Sequence, residues 1–234
     1  MRASPFFNLD RGRQTSQEVT NRLIIPRSAV RCLDRHSGGR LAKRSDSSRF
    51  VGRGGEKLEG ALEAFQVDVS QKVAADLGAH IGGFTDCLLQ RGAARVYSAD
   101  TAYGVLDWKL RQDPRVVVIE RRNALHLELP EPVDLVVIDL GWTPLNLIVP
   151  RALHMVGRCG KVVSLLKPQY EAGESEREGG VVRPEFLEKV VNRVIHQLER
   201  SSCKVLDRSE SKLPGAGGNR EFFLSIGRGA QQVG

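Results

Sequence analysis

From Arg53 onward, short apolar runs alternate with amphipathic stretches, and the two periods separate cleanly along the chain. The runs KVAADLGA, RVYSAD, RVVVIE, VDLVVIDL and KVVSLLK have the length and β-branched content of buried strands. Between them, FTDCLLQRG, YGVLDWKLRQ, PLNLIVPRALHMV and the long PEFLEKVVNRVIHQLERS read as helices. Ahead of them all, EKLEGALEAF sets Leu58, Ala61, Leu62 and Phe65 on one helical face with charges opposite, and Lys57 in its first turn. Strand alternating with helix implies βαβ units, right-handed crossovers and a parallel sheet covered on both faces. The chain then closes differently, with KVLDRSESK, a glycine-rich turn LPGAGGN and REFFLSIG. Two strands joined without a helix pair antiparallel most simply, so the expectation is an α/β fold whose final strand is reversed.

This pattern places charge at strand ends. Asp139 closes VDLVVID, Lys167 closes KVVSLLK, and Glu221 opens EFFLSIG. If the last strand runs antiparallel beside the Lys167 strand, its beginning lies next to the other's end. The three charges then share the rim where open α/β sheets place their chemistry. The first strand ends in DLGAHIGGFTD, Asp76 to Asp86, and leads straight into a helix. Gly78, Gly82 and Gly83 allow a tight turn and close approach to a ligand. The second strand ends at Asp100, whose carboxylate could accept both hydroxyl protons of a ribose. The spacing Gly78-Ala79-His80-Ile81-Gly82-Gly83 is not the G-x-G-x-x-G of a pyrophosphate site, and no Walker lysine follows. The loop therefore suits an adenosine cofactor, shared in kind by dinucleotide and S-adenosylmethionine sites.

Composition adds one asymmetry. Residues 1–49 hold ten Arg and one Lys against four acids, and the remainder is balanced, so the whole net charge of +7 falls in the first fifth of the 234 residues. That segment, rich in Arg and Ser, reads as a largely disordered basic arm suited to RNA phosphates. A solvated tail or a misassigned start codon would leave the same composition. The expected division is thus an arm over 1–49, an α/β domain over 50–228 and a short tail over 229–234. No apolar run approaches membrane length. Cys32, Cys87, Cys159 and Cys203 lack paired spacing and the histidines lack ligand spacing, so neither a zinc site nor a disulfide framework is indicated. A reducing cytoplasm fits this usage.

Seven segments carry a resemblance: FVGRGGEKLEGALEAF, DLGAHIGGFTDCLLQRGAARVYSAD, YGVLDWKLRQDPRV, VDLVVIDL, KPQYEAG, GGVVR and GNREFFL. In this order the chain resembles the hemolysin-A-type (TlyA) ribosomal RNA methyltransferases, relatives of the FtsJ 2'-O-methyltransferases. The resemblance implies a Rossmann-like class I methyltransferase fold, a seven-stranded, mostly parallel sheet with a reversed final strand. It implies S-adenosyl-L-methionine as cofactor and RNA, ribosomal RNA in particular, as partner. The family's catalytic Lys-Asp-Lys-Glu set falls on Lys57, Asp139, Lys167 and Glu221. Its cofactor contacts fall on Asp76, Gly78, Gly82, Phe84, Asp100 and Asp139, with Asn123 near the adenine. The chain departs from the family at His80-Ile81, usually Ser-Thr, and at Gly141-Trp142, usually Ser-Phe. Residues 1–49 also do not resemble the small RNA-binding domain that normally precedes this one.

The resemblance implies methyl transfer to a ribose 2'-hydroxyl, with Lys167 either taking the hydroxyl proton or, charged, stabilising the alkoxide. A non-catalytic, cofactor-binding, RNA- or ribosome-associated paralogue is the alternative. His80 suits a solvated or backbone-bonded side chain better than a cofactor contact. Trp142 suits either stacking on a nucleotide or packing beneath the cleft.

Overall fold

A computed structural model of the protein describes residues 49–229. The basic arm before Arg49 and the tail after Gly229 lie outside them. The strands are β1 (Val73–Leu77), β2 (Arg95–Ala99), β3 (Val116–Ile119), β4 (Val133–Ile138), β5 (Val156–Leu166), β6 (Arg177–Glu178), β7 (Val181–Val182), β8 (Cys203–Glu210) and β9 (Phe222–Arg228). The helices are α1 (Arg53–Ala64), α2 (Gly83–Gln90), α3 (Trp108–Arg111), α4 (Leu145–Met155), α5 (Pro168–Glu171) and α6 (Pro184–Glu199). Seven strands form one sheet in the order β3-β2-β1-β4-β5-β9-β8, and β6 and β7 form a separate small hairpin. The pairings among β3, β2, β1, β4 and β5 are parallel, and β9 runs antiparallel to both β5 and β8. The reversed last strand is therefore present as expected.

Alternation along the central strands builds two cores. Leu135 and Val137 of β4, Val163 and Leu165 of β5 and Phe223 of β9 pack with Leu58 and Leu62 of α1 and Leu88 of α2. Val136, Ile138, Leu166, Phe222 and Leu224 face the other way, against Ile148 and Val149 of α4 and Val190, Val191 and Val194 of α6. This burial on both faces explains why the strands read as continuous apolar runs.

Three elements differ from the sequence pattern. α1 starts at Arg53 rather than Glu56, because buried Gly55 lets its first turn lie against the Phe50 ring, where a Cβ would overlap. α3 keeps only four residues of YGVLDWKLRQ. Gly104, at φ +74, gives its N–H to Glu120, the Asp107 side chain caps Lys109 N–H, and Pro114 lies just beyond the helix. β5 begins at Val156, directly after α4, and pairs Val156 with Val133 before a register shift brings Lys161 opposite Leu135. The polar Gly157–Gly160 segment thus forms an irregularity that period alone does not reveal.

Candidate functional site

The strand order reverses between β1 and β4, whose neighbours β2 and β5 lie on opposite sides. Ligands of open α/β sheets settle beyond the carboxyl ends at such a switch point. Gly78 follows β1 and Asp139 follows β4, and Asp139 N–H donates to Leu77 O at 2.9 Å. Gly78, at φ +92, lies so close that a Cβ would overlap the Asp139 carbonyl oxygen. Gly82, at φ +99, caps α2 and leaves no room for a Cβ against Leu106 and Leu110. Around these turns lies a cleft of about 320 Å³ lined by Gly52, Gly54, Gly78, His80, Phe84 and Asp139, among others. Backbone forms much of the wall, which is the surface a bulky adenosine ligand needs for close approach.

Asp100, at the end of β2, has both carboxylate oxygens fixed by backbone N–H groups. Its Oδ2 accepts His80 N–H at 2.8 Å and its Oδ1 accepts Ala102 N–H at 2.7 Å. Each oxygen retains a lone pair for a hydroxyl donor. Asp76 is fully buried. Thr85 Oγ1 donates to its Oδ2 at 2.7 Å and is itself in contact with Ser98 Oγ, while Oδ1 has no partner. Burial pushes the Asp76 carboxyl up to about 7; the Thr85 hydrogen bond opposes this and the Asp139 charge adds to it. Asp76 Oδ1 is thus a buried acceptor without a donor, two residues before Gly78. Phe84 is buried beside Phe223, ring centroids 6.0 Å apart. Asn123 is exposed and uses its Oδ1 to cap Leu125 N–H at 2.9 Å.

The four charged residues form two ion pairs on this rim. Leu166 of β5 pairs with Phe222 of β9, so Lys167 and Glu221 are the next residues along that antiparallel pair. The Lys167 ammonium lies 2.6 Å from Asp139 Oδ1, but off the direction of an aligned hydrogen bond, so the contact is chiefly ionic. Lys57 Nζ donates to Glu221 Oε2 at 2.6 Å, both side chains largely buried. Gln169 Nε2 reaches Glu221 Oε1 at 3.4 Å, and Gly215 packs so tightly on that carboxylate that any side chain there would overlap it. Gln169 was not singled out from the sequence. Its place two residues past Lys167, within a turn opened by Pro168, is the signal that could have found it.

Aromatic side chains frame the mouth. Trp142 is 85% exposed at φ +62, and its ring centroid is 5.0 Å from that of Tyr170. The Lys167 ammonium is 5.9 Å from the Tyr170 ring. Packing beneath the cleft is therefore not the role of Trp142. His80, also left-handed at φ +49, is exposed, and its backbone rather than its ring makes the hydrogen bond to Asp100. Among the described residues no cluster of side chains could hold a metal ion, and no helix is long and apolar enough to cross a membrane.

Comparison with known proteins follows the same lines. The family model of the FtsJ-like methyltransferases matches residues 50–228. The chain is 44% identical over 187 residues to the 16S/23S rRNA (cytidine-2'-O)-methyltransferase TlyA of Mycobacterium tuberculosis, covering 77% of this chain and 69% of that protein. The solved structure of a candidate hemolysin from Streptococcus thermophilus superposes with a TM-score of 0.75 at 36% identity, over 80% of this chain and 70% of that one. An S-adenosylmethionine-dependent methyltransferase from Mesorhizobium loti shares the fold alone, with a TM-score of 0.54 at 18% identity over 72% of this chain and 96% of that one. A family match across the whole described domain, joined to a relative of this identity, means that the chain belongs to the FtsJ-like methyltransferases.

Proposed function

We propose that the protein transfers a methyl group from S-adenosyl-L-methionine to a ribose 2'-hydroxyl of ribosomal RNA. The observation that carries the reading is the pair of ion pairs, Lys167 with Asp139 and Lys57 with Glu221, at the lip of a glycine-walled cleft that also presents Asp139. The Mycobacterium tuberculosis relative, named for cytidine-2'-O methylation of 16S and 23S rRNA, supports the choice of atom and RNA.

The residues present fit the cofactor. Asp100 would hold the ribose hydroxyls, Gly78, Gly82 and Phe84 would wall the methionine side, Asp76 would face its ammonium directly or through water, and Asn123 would lie toward the adenine. When bound, the cofactor supplies an electrophilic methyl on a positively charged sulfur. Lys167, beside Asp139 at the end of β5, would meet the attacking hydroxyl. As a neutral amine it would accept the hydroxyl proton; as an ammonium it would stabilise the developing alkoxide and leave the proton to water. Asp139 orients Lys167 in either role. Glu221 holds Lys57 beside the site. Exposed Trp142, backed by Tyr170, offers a face on which an unstacked base can lie.

Mass mapping of ribose methylation in ribosomal RNA, with and without the gene, tests the reading. Loss of a specific 2'-O-methyl supports it. An unchanged methylation map, in cells where the protein still binds the cofactor and ribosomes, would favour a non-catalytic paralogue.

A further inference from the structure

Lys167 joins the end of β5 to a turn that cannot hold itself. α5 is a single turn of four residues with Lys167 at its N-cap, and no side chain caps it. One turn fixes several dihedral angles for one or two hydrogen bonds, so it forms only where outside partners hold it. These partners come from behind, from α6 and the segment leading to β6. Arg193, midway along α6, donates Nη1 to Glu176 Oε1 at 2.9 Å and Nη2 to Glu176 Oε2 at 2.8 Å. The same Nη2 donates to the Glu171 carbonyl oxygen at 3.0 Å, the last residue of α5. Glu176 Oε2 also accepts Gly173 N–H at 2.9 Å. The guanidinium and that N–H hold the Glu176 carboxyl down at about 2. Arg177 Nη1 supports the Gln169 carbonyl at 3.2 Å.

The same turn steadies the opposite lip. Glu171 Oε1 accepts Leu145 N–H at 2.9 Å, capping the N-terminus of α4. The short connection from Asp139 through Trp142 to Leu145 is thus tied to α5, as Lys167 is. Arg193 touches neither lysine nor cleft, yet its fork fixes the end of the turn from which both lips are held.

We propose that Arg193 and Glu176 are positioning residues for methyl transfer: their bidentate pair sets the α5 turn so that Lys167 meets Asp139 and the incoming hydroxyl. This rests on the function proposed above. A lysine at position 193 would keep the charge but could not make two parallel bonds and reach the Glu171 carbonyl as well. Misplacement of a reacting group by about 1 Å costs up to about 100-fold in rate.

The test uses full-length Arg193→Met, Arg193→Lys and Glu176→Gln, assayed for single-turnover methylation of ribosomal RNA, KM for RNA, cofactor affinity by calorimetry and thermal melting. The expected result is a kcat lower by about 10- to 100-fold in each folded variant, with KM and cofactor affinity within about twofold of wild type. Arg193→Lys should recover melting temperature more than it recovers kcat. Wild-type kcat in Arg193→Lys or Glu176→Gln would overturn the proposal. So would losses of kcat and cofactor affinity that run in parallel, since these indicate only a less folded protein. If Arg193→Met does not fold, the other two variants decide. Wild-type protein that binds cofactor but methylates no ribosomal RNA would instead overturn the function on which the proposal rests.

Discussion

Replacing Asp76 with asparagine should stabilise the protein in mild alkali, by an amount that depends on pH. Asp76 is fully buried and its carboxyl is raised from 3.8 to about 7, chiefly by burial. Between those values the unfolded chain has released the proton and the folded chain has kept it. Folded protein therefore binds more protons there, and stability falls as pH rises. One proton gives a slope of about 1.4 kcal/mol per pH unit, and a shift of roughly three units gives a total of about 4 kcal/mol. The amide introduced by Asp76→Asn would match the neutral acid in shape, accept the Thr85 hydroxyl through its oxygen and carry no charge at any pH, while its buried N–H groups cost about 1–3 kcal/mol independently of pH. Urea unfolding of both proteins from pH 4 to 8 measures the difference. The stability of the variant relative to wild type should rise by about 4 kcal/mol from pH 4 to pH 8, most of it below pH 7, and leave the variant the more stable protein at pH 8. A gap that does not change with pH, or a less stable variant at pH 8, would refute the reasoning. If Asp76 also faces the cofactor ammonium, the stabilised variant should bind S-adenosylmethionine more weakly, a trade of stability against function.

Asp100→Ala should weaken cofactor binding, because two hydroxyl bonds to a charged acceptor, each about 1.5–3 kcal/mol, would be lost; calorimetry giving unchanged affinity would remove Asp100 from the site. Gly82→Ala should destabilise the fold by about 1–3 kcal/mol, since the residue is left-handed and faces Leu106 and Leu110 without space; an unaltered melting temperature would contradict this. Trp142→Ala should leave cofactor affinity intact and weaken RNA binding by about 1–3 kcal/mol, the range for base stacking on an aromatic ring. Equal RNA affinity in filter binding would exclude that role.

Strand ends were the most legible part of the site. A buried strand in a parallel sheet tolerates charge only where it leaves the sheet, so VDLVVID and KVVSLLK place Asp139 and Lys167 at the rim on pattern alone. The reversed last strand followed from the missing crossover helix, and its register sets Glu221 beside Lys167. The partner of each lysine was not legible, because it depends on side-chain directions across a turn and on α1 crossing from the far end of the sequence. Gln169 and the Arg193–Glu176 fork escaped for the same reason: their contacts join segments with no shared period. Exposure of Trp142 depends on a left-handed backbone at a bulky residue, which sequence pattern disfavours. The short α3 reflects Gly104 turning to meet Glu120, a long-range bond that overrides local helical spacing.

The central claim is that Lys167 acts on a ribose hydroxyl, and the most direct test is methyl transfer by Lys167→Ala on ribosomal RNA. Labelled S-adenosylmethionine would be followed into RNA that is then hydrolysed in alkali, where a 2'-O-methyl protects the adjoining phosphodiester and leaves labelled dinucleotides. Wild-type protein should yield labelled dinucleotides, and Lys167→Ala should yield none while binding the cofactor as wild type does. Lys167→Arg separates the two roles, since a guanidinium stays protonated and could partly replace an alkoxide stabiliser but not a base. Label released from wild-type product as mononucleotides would contradict ribose methylation, and substantial transfer by Lys167→Ala would contradict the role given to Lys167.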